Sequence, residues 1–243
     1  MKVSIMKWLS IVLITIVFTT SGMAQSEREF EINSLIIQAQ KHSTDSLKEA
    51  EIIANKALEL SKKKKLQPSE LQCYLLLGDL KYKKSDFIQS IINFERADSL
   101  ATLLSNFELK IEALNGRGKI YNSLNHFNKA EVLHNQALEI SRQNNLLEGI
   151  AISLKSIGNI YLLKNKLDKA RIFYTDALKY YTQGNYKNGI SEIYNNLGES
   201  FIYENLYDSA LYYHFKALEI KLTTNNTQSI AISYINISDV YLK

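Results

Sequence analysis

Apolar side chains between residues 154 and 161 recur at helical spacing. Leu154, Ile157, Gly158 and Tyr161 stand at i, i+3, i+4 and i+7, the stripe that one face of an α-helix buries. A polar break, Lys164-Asn165-Lys166, follows, and Ala170, Tyr174 and Ala177 then open a second stripe. The pattern predicts two antiparallel helices joined by a tight turn. The same columns return every 40 residues. Gly158 has counterparts at Gly78, Gly118 and Gly198, with Ser238 at the next phase. Ala170 is matched by Ala130 and Ala210, with Ser90 and Ala50 in phase, and Ala177 by Ala57, Ala97, Ala137 and Ala217. Tyr161 is matched by Tyr121, Phe201 and Tyr241. Agreement over several columns marks a repeat architecture, in which a single helix pair cannot bury its apolar face and stacking buries it.

These columns have physical roles. Gly158 leaves room for the second helix of its pair, the alanines let neighbouring pairs close up, and Tyr161, Phe173 and Tyr174 fill the remaining volume. The expected fold is all-α, a right-handed α-solenoid of antiparallel helix pairs. Its units are 25–66, 67–106, 107–146, 147–186 and 187–226. The first is degenerate, with Gln38 in the glycine column but Ala50, Ala54 and Ala57 retained, and is expected to cap the array. Residues 227–243 read as the first helix of a sixth pair. Its stripe, "IAISYINISDVYLK", has one side uncovered, whereas terminal repeats normally turn a polar face outward. The expectation is therefore a fragment whose output region lies further on.

The segment "YNNLGESF" at 194–201 with Ala210 and Ala217, and "LKSIGNIY" at 154–161, resemble the tetratricopeptide repeat family. The usual unit there has about 34 residues. The unit here is similar to the longer variety of bacterial regulators and kinesin light chain, and to exported sensor and scaffold arrays. The resemblance covers roughly 27–243. It implies that first helices line a concave face, and that a stripe beside the packing stripe points into it. That stripe is Ile152, Lys155, Asn159 and Leu162, with equivalents Glu112, Asn115, Lys119 and Asn122, then Glu192, Asn195, Glu199 and Ile202, then Ile232, Ile235, Asp239 and Leu242. Asn196 and Asn236 sit one column over. Asparagine offers donors and an acceptor, so a ladder of them can hold the main chain of an extended peptide. The other reading of the same asparagines is bonding between helices. The resemblance thus implies a peptide-binding groove at Asn115, Lys119, Lys155, Asn159, Asn195, Asn196, Glu199 and Asn236. Lys155, Asn159 and Asn196 match part of the carboxylate clamp of chaperone-tail-binding members, from which Ile232 and Asn236 depart.

Composition narrows the classes. One Pro and nine Gly in 243 residues are few breakers for a turn-rich β fold. The opening "MKVSIMKWLSIVLITIVFTTSGMAQ" has the parts of a secretory signal: Lys2 and Lys7, an apolar core from Trp8 to Phe18, and Gly22-Met23-Ala24 before Gln25. The core is short for a membrane span, so cleavage after residue 24 is expected, with retention as an anchor the alternative. The mature chain is then periplasmic or secreted. Loss of Lys2 and Lys7 takes the net charge from +4 to +2, which gives no case for nucleic acid or an anionic membrane surface. The run Lys62–Lys65 is expected as a solvated loop between helices. Cys73 is the single cysteine and sits in an apolar stripe, so it is expected buried, without a disulfide or cysteine metal site.

Catalytic and metal constellations are not evident. The histidines are His42, His126, His134 and His214. His134 and His214 share a column with Phe94 and Tyr174, which predicts packing, and they lie two repeats apart. "GRGK" at 116–119 lacks the other residues of a phosphate loop and falls inside a helix. The expectation is a non-enzymatic protein- or peptide-binding scaffold outside the cytoplasm, without metal or cofactor. It would be the sensory part of a signalling protein of the histidine kinase or transcriptional-regulator type. A stand-alone periplasmic adaptor or envelope assembly factor is the alternative.

Overall fold

A computed structural model of the chain describes residues 29–224 and 227–243; the expected leader at 1–24 lies outside them. The described residues are all-α, with eleven helices and no strand among them. In chain order they are α1 (29–42), α2 (Leu47–Lys64), α3 (Gln67–Lys83), α4 (Phe87–Leu103), α5 (Phe107–Ser123), α6 (Phe127–Gln143), α7 (Leu147–Leu163), α8 (Leu167–Gln183), α9 (Lys187–Ile202), α10 (Tyr207–Leu222) and α11 (Thr227–Tyr241). From α5 to α11 each helix packs on the next in sequence, and α2 packs on α3. No described helix is long and apolar enough to cross a membrane.

The turns keep a finer beat than the 40-residue unit. Lys65, Ser85, Ser105, Asn125, Asn145, Asn165, Asn185 and Asn205 all hold φ between 53° and 59°, one every twenty residues. After α7, the Asn165 N–H donates to the Leu162 carbonyl at 2.9 Å and the Lys166 N–H to the Tyr161 carbonyl at 2.8 Å. That pair of bonds is the Schellman helix ending, with a left-handed residue just past the cap. Asn is among the few residues other than Gly that visit this conformation readily. The motif's companion contact is also present: Tyr121 stacks on His126 at 6.2 Å, and Tyr181 meets Tyr186 edge-on at 6.3 Å. Turns within a pair and turns between pairs are therefore chemically alike.

The chain divides into two compact units, residues up to Leu100 and residues from Ala101 onward. In the first, Ala50, Ala54 and Ala57 of α2 are fully buried. The Ser90 hydroxyl donates to the Gly78 carbonyl at 2.6 Å. Cys73 is buried and its thiol pushed up to about 11 by that burial. The Lys62–Lys65 run is not a loop. Lys62 to Lys64 form the last turn of α2, where cations oppose the helix dipole, and Lys65 is its left-handed cap. Lys64 pairs with Glu31 at 2.6 Å, and Lys62 lies over the Tyr74 ring.

The second unit, α5 to α11, contains the candidate site. Ala130, Ala137, Ala170, Ala177, Ala210 and Ala217 are fully buried there, as Ala97 is in the first unit. The glycine column faces an aromatic wedge from the second helix of its own pair. A β-carbon added at Gly118, Gly158 or Gly198 would come within 2.5 to 2.8 Å of the ring of His134, Tyr174 or His214. Gly78 stands in the same relation to Phe94 in the first unit. Flat rings stack alongside: Tyr161 on Phe173 at 5.3 Å and Phe201 on Tyr213 at 5.4 Å. The joint between α8 and α9 uses a further glycine, Gly189, against the Tyr181 ring.

Charge pairs spaced 33 residues apart tie α2, α6 and α8 each to the turn after the next helix. Glu51 pairs with Lys84 at 2.6 Å in the first unit. In the second, Glu131 pairs with Lys164 at 3.5 Å. Forty residues on, the signs reverse: Arg171 grips both carboxylate oxygens of Glu204, at 2.8 and 3.1 Å, and covers the Phe201 ring.

Candidate functional site

Within the second unit the first helices of successive pairs touch, α5 with α7 and α7 with α9. Among the described residues no comparable contact joins α6 to α8 or α8 to α10. The first helices thus lie on the tighter, inner side of the stack, and side chains from neighbouring first helices converge. The Lys155 ammonium pairs with the Glu192 carboxylate across α7 and α9. The Asn196 amide donates to the Asn159 carbonyl oxygen at 3.1 Å across the same gap.

The eight groove residues read from the sequence fall into distinct environments. Asn115 is buried. Its Nδ2 donates to Ser153 Oγ at 3.2 Å, and its Oδ1 lies 2.7 Å from His134 Nδ1. With that oxygen as acceptor, the network assigns the histidine proton to Nδ1 and leaves Nε2 as a buried lone pair without a partner. Burial pulls His134 down to about 4, so the wedge is neutral. Asn195 repeats the arrangement with His214, Oδ1 to Nδ1 at 3.3 Å, and burial lowers His214 in the same direction. Asn115 and Asn195 therefore serve the histidine wedges. In the same relation to Phe94 and Tyr174, which need no such acceptor, the column holds Leu75 and Lys155.

Asn159 is differently placed. Its Oδ1 accepts from the Tyr174 hydroxyl at 2.8 Å and from Asn196 Nδ2 at 3.1 Å. These two bonds engage neither Asn159 Nδ2 nor Asn196 Oδ1, a donor and an acceptor on the half-buried inner wall. Lys119 and Glu199 are exposed and Asn236 half-buried on their helices. Glu199 keeps contact with solvent, yet the surrounding wall removes enough water from its carboxyl to raise its pKa above the ordinary carboxylate value. Its charge also raises the buried Tyr174 hydroxyl, after burial itself. The structure brings Lys155, Asn159, Asn196 and Glu199 to one patch with Glu192 and Tyr174. It turns the carbonyl oxygens of Asn115 and Asn195 inward. Among the described residues no group of His, Cys, Asp and Glu is placed to hold a metal ion.

Sequence reasoning did not single out Ser153 and Tyr174 as part of this face, nor the histidine–asparagine partnership, although it did place Glu192 there. A signal existed: asparagine precedes the wedge by 19 residues only where the wedge is histidine.

An all-α stack of helix pairs with a glycine–aromatic wedge defines a class, the helical repeat arrays. The family model described as tetratricopeptide repeat matches residues 109–183, and the described residues form a helical repeat array. No curated protein is detectably similar. Solved structures are. BtubC (BKLC) from P. vanneervenii superposes with a TM-score of 0.62 at 21% identity, covering 86% of this chain and 83% of that one. A Rap protein complexed with competence and sporulation factor gives 0.64 at 18%, over 88% of this chain and 64% of that one. A signal transduction ATPase with a tetratricopeptide repeat sensor from Pyrococcus horikoshii gives 0.64 at 18%, over 88% and 33%. The chain thus spans about two thirds of the Rap protein and one third of the ATPase. At these identities the likeness concerns the fold.

Proposed function

We propose that the chain is a non-enzymatic binding array whose inner face holds an extended protein segment, and that it senses outside the cytoplasm for a signalling protein of the histidine kinase or transcriptional-regulator type. The observation that carries the binding reading is the patch on α7 and α9. Side chains from two successive first helices meet there and leave a donor and an acceptor unused beside an exposed carboxylate. Two structural neighbours support it in kind: one is a Rap protein in complex with a factor, the other carries a repeat sensor on a signalling ATPase. The secretory pattern of residues 1–24 supports export. Binding would bias an output by favouring one of two arrangements of the array, which requires different affinity for the two.

Photo-crosslinking side chains in place of Lys119 and Glu199 test the face. They are expected to trap a polypeptide in the native cell, and the same groups at exposed Val132 and Ile172 of the second helices are not. Equal trapping from both sets would refute the assignment. N-terminal sequencing of the protein recovered from cells tests export: the chain is expected to begin at Gln25, and an intact Met1 would leave only the anchored form.

A further inference from the structure

The inner face of the second unit is unevenly charged. Along its stripe, extended by one turn, the exposed acids are Glu108, Glu112, Glu148, Glu192, Glu199 and Asp239, against only Lys119 and Lys155. The Lys155–Glu192 pair cancels within itself, which leaves five acids against Lys119. Glu199 has no cation beside it among the described residues, and Asp239 occupies its column on the next first helix, α11. A carboxylate stripped of part of its water without a counter-charge is a place where a cation is welcome. Between the charges, Asn159 Nδ2 and Asn196 Oδ1 offer a donor and an acceptor on two amides that are themselves joined by a hydrogen bond of 3.1 Å. That pair matches the C=O and N–H of an extended main chain and does not depend on its sequence. Toward α11 the stripe turns apolar: Ile232 is 47% and Ile235 57% exposed.

We infer that the segment held on this face is a basic extended peptide. Its main chain lies on Asn159 and Asn196, a lysine or arginine seats between Glu199 and Asp239, and apolar side chains follow over Ile232 and Ile235. The inference rests on the binding reading above and adds the ligand's chemistry. Opposite charge along a groove steers encounter and selects partners, so an acidic segment is rejected by the same face.

The test is a phage-displayed library of random nine-residue peptides selected on the full chain. Selected peptides are expected to be enriched several-fold in Lys or Arg and depleted in Asp and Glu. For one selected peptide, Glu199→Gln or Asp239→Asn is expected to weaken binding about tenfold, as is replacing its basic residue by Ala, and added salt is expected to weaken it further. Both substitutions are at exposed positions, and an unchanged helical spectrum verifies the fold. Binders that are neutral or acidic, or an affinity unmoved by both substitutions, overturn the charge inference while leaving peptide binding intact. A library that yields no binder refutes the binding reading and this inference together.

Discussion

Gly158→Ala sets two known effects against each other. Replacing a mid-helix glycine by alanine ordinarily stabilises by about 1 kcal/mol. Here the new methyl would sit 2.6 Å from Cε1 and 2.7 Å from Cδ1 of Tyr174, where carbon atoms prefer about 3.5–4.0 Å. The ring would have to withdraw by roughly 1 Å. It cannot do so freely, because it is 0% exposed and its hydroxyl is tied to Asn159 at 2.8 Å. Overpacking of that kind costs about 1–3 kcal/mol, so the helix gain is outweighed and the net expectation is a loss of about 1 kcal/mol. Chemical denaturation followed by far-ultraviolet circular dichroism reads it, with the slope checked for constancy. Tyr174→Leu supplies the cycle: in that background Gly158→Ala should become neutral or stabilising, a coupling of about 1–2 kcal/mol. A stabilisation of about 1 kcal/mol in both backgrounds would refute the wedge.

The other predictions follow from the wedge chemistry, the turns and the joints. His134 is held near 4 by burial, while the unfolded chain takes up the same proton near 6.5. Its contribution is therefore complete above about pH 6.5 and is lost as pH falls toward 4, about 2 kcal/mol by pH 5. Denaturation midpoints across that range measure it. His134→Phe with Asn115→Leu, which copies the Phe94 and Leu75 pair, should flatten the slope. At the left-handed turn position Asn165→Ala should cost about 1 kcal/mol, while Asn165→Gly should be neutral or better; equal effects in thermal melts would argue against the turn assignment. Arg171→Glu should destabilise by about 1 kcal/mol, and adding Glu204→Arg should recover most of it. A double variant no better than the single one would show that the pair does not couple.

How much of this was legible in the sequence depends on what a period can carry. The 40-residue columns exposed the glycine–aromatic wedge because both partners recur in phase, and sequence alone placed His134 and His214 in it. The Lys62–Lys65 run was misread because four lysines look like a loop, although such charges also complete a helix end. The asparagine ladder was visible as residues but not as partners. Asn115 and Asn159 lie one column apart in a shared stripe, yet one answers a histidine and the other a tyrosine and a neighbouring asparagine. Those commitments depend on rotamer and neighbour, which periodicity does not encode. The twenty-residue recurrence of Asn125, Asn145, Asn165, Asn185 and Asn205 was present in the letters, and it went unread behind the stronger apolar columns.

The sign reversal between Glu131–Lys164 and Arg171–Glu204 bears on how repeats with shared packing columns avoid exchanging places. Suppose a nascent chain, or two chains side by side, docked a helix one repeat out of step. Glu131 would then meet Glu204, and Arg171 would meet Lys164. Both mistaken encounters bring like charges together, while the shared glycines, alanines and rings would accept the slip without complaint. Swapped and shifted assemblies are a characteristic failure of repeat proteins. The alternating polarity acts as a key at this joint, giving an otherwise self-similar chain a single order in which its parts can close.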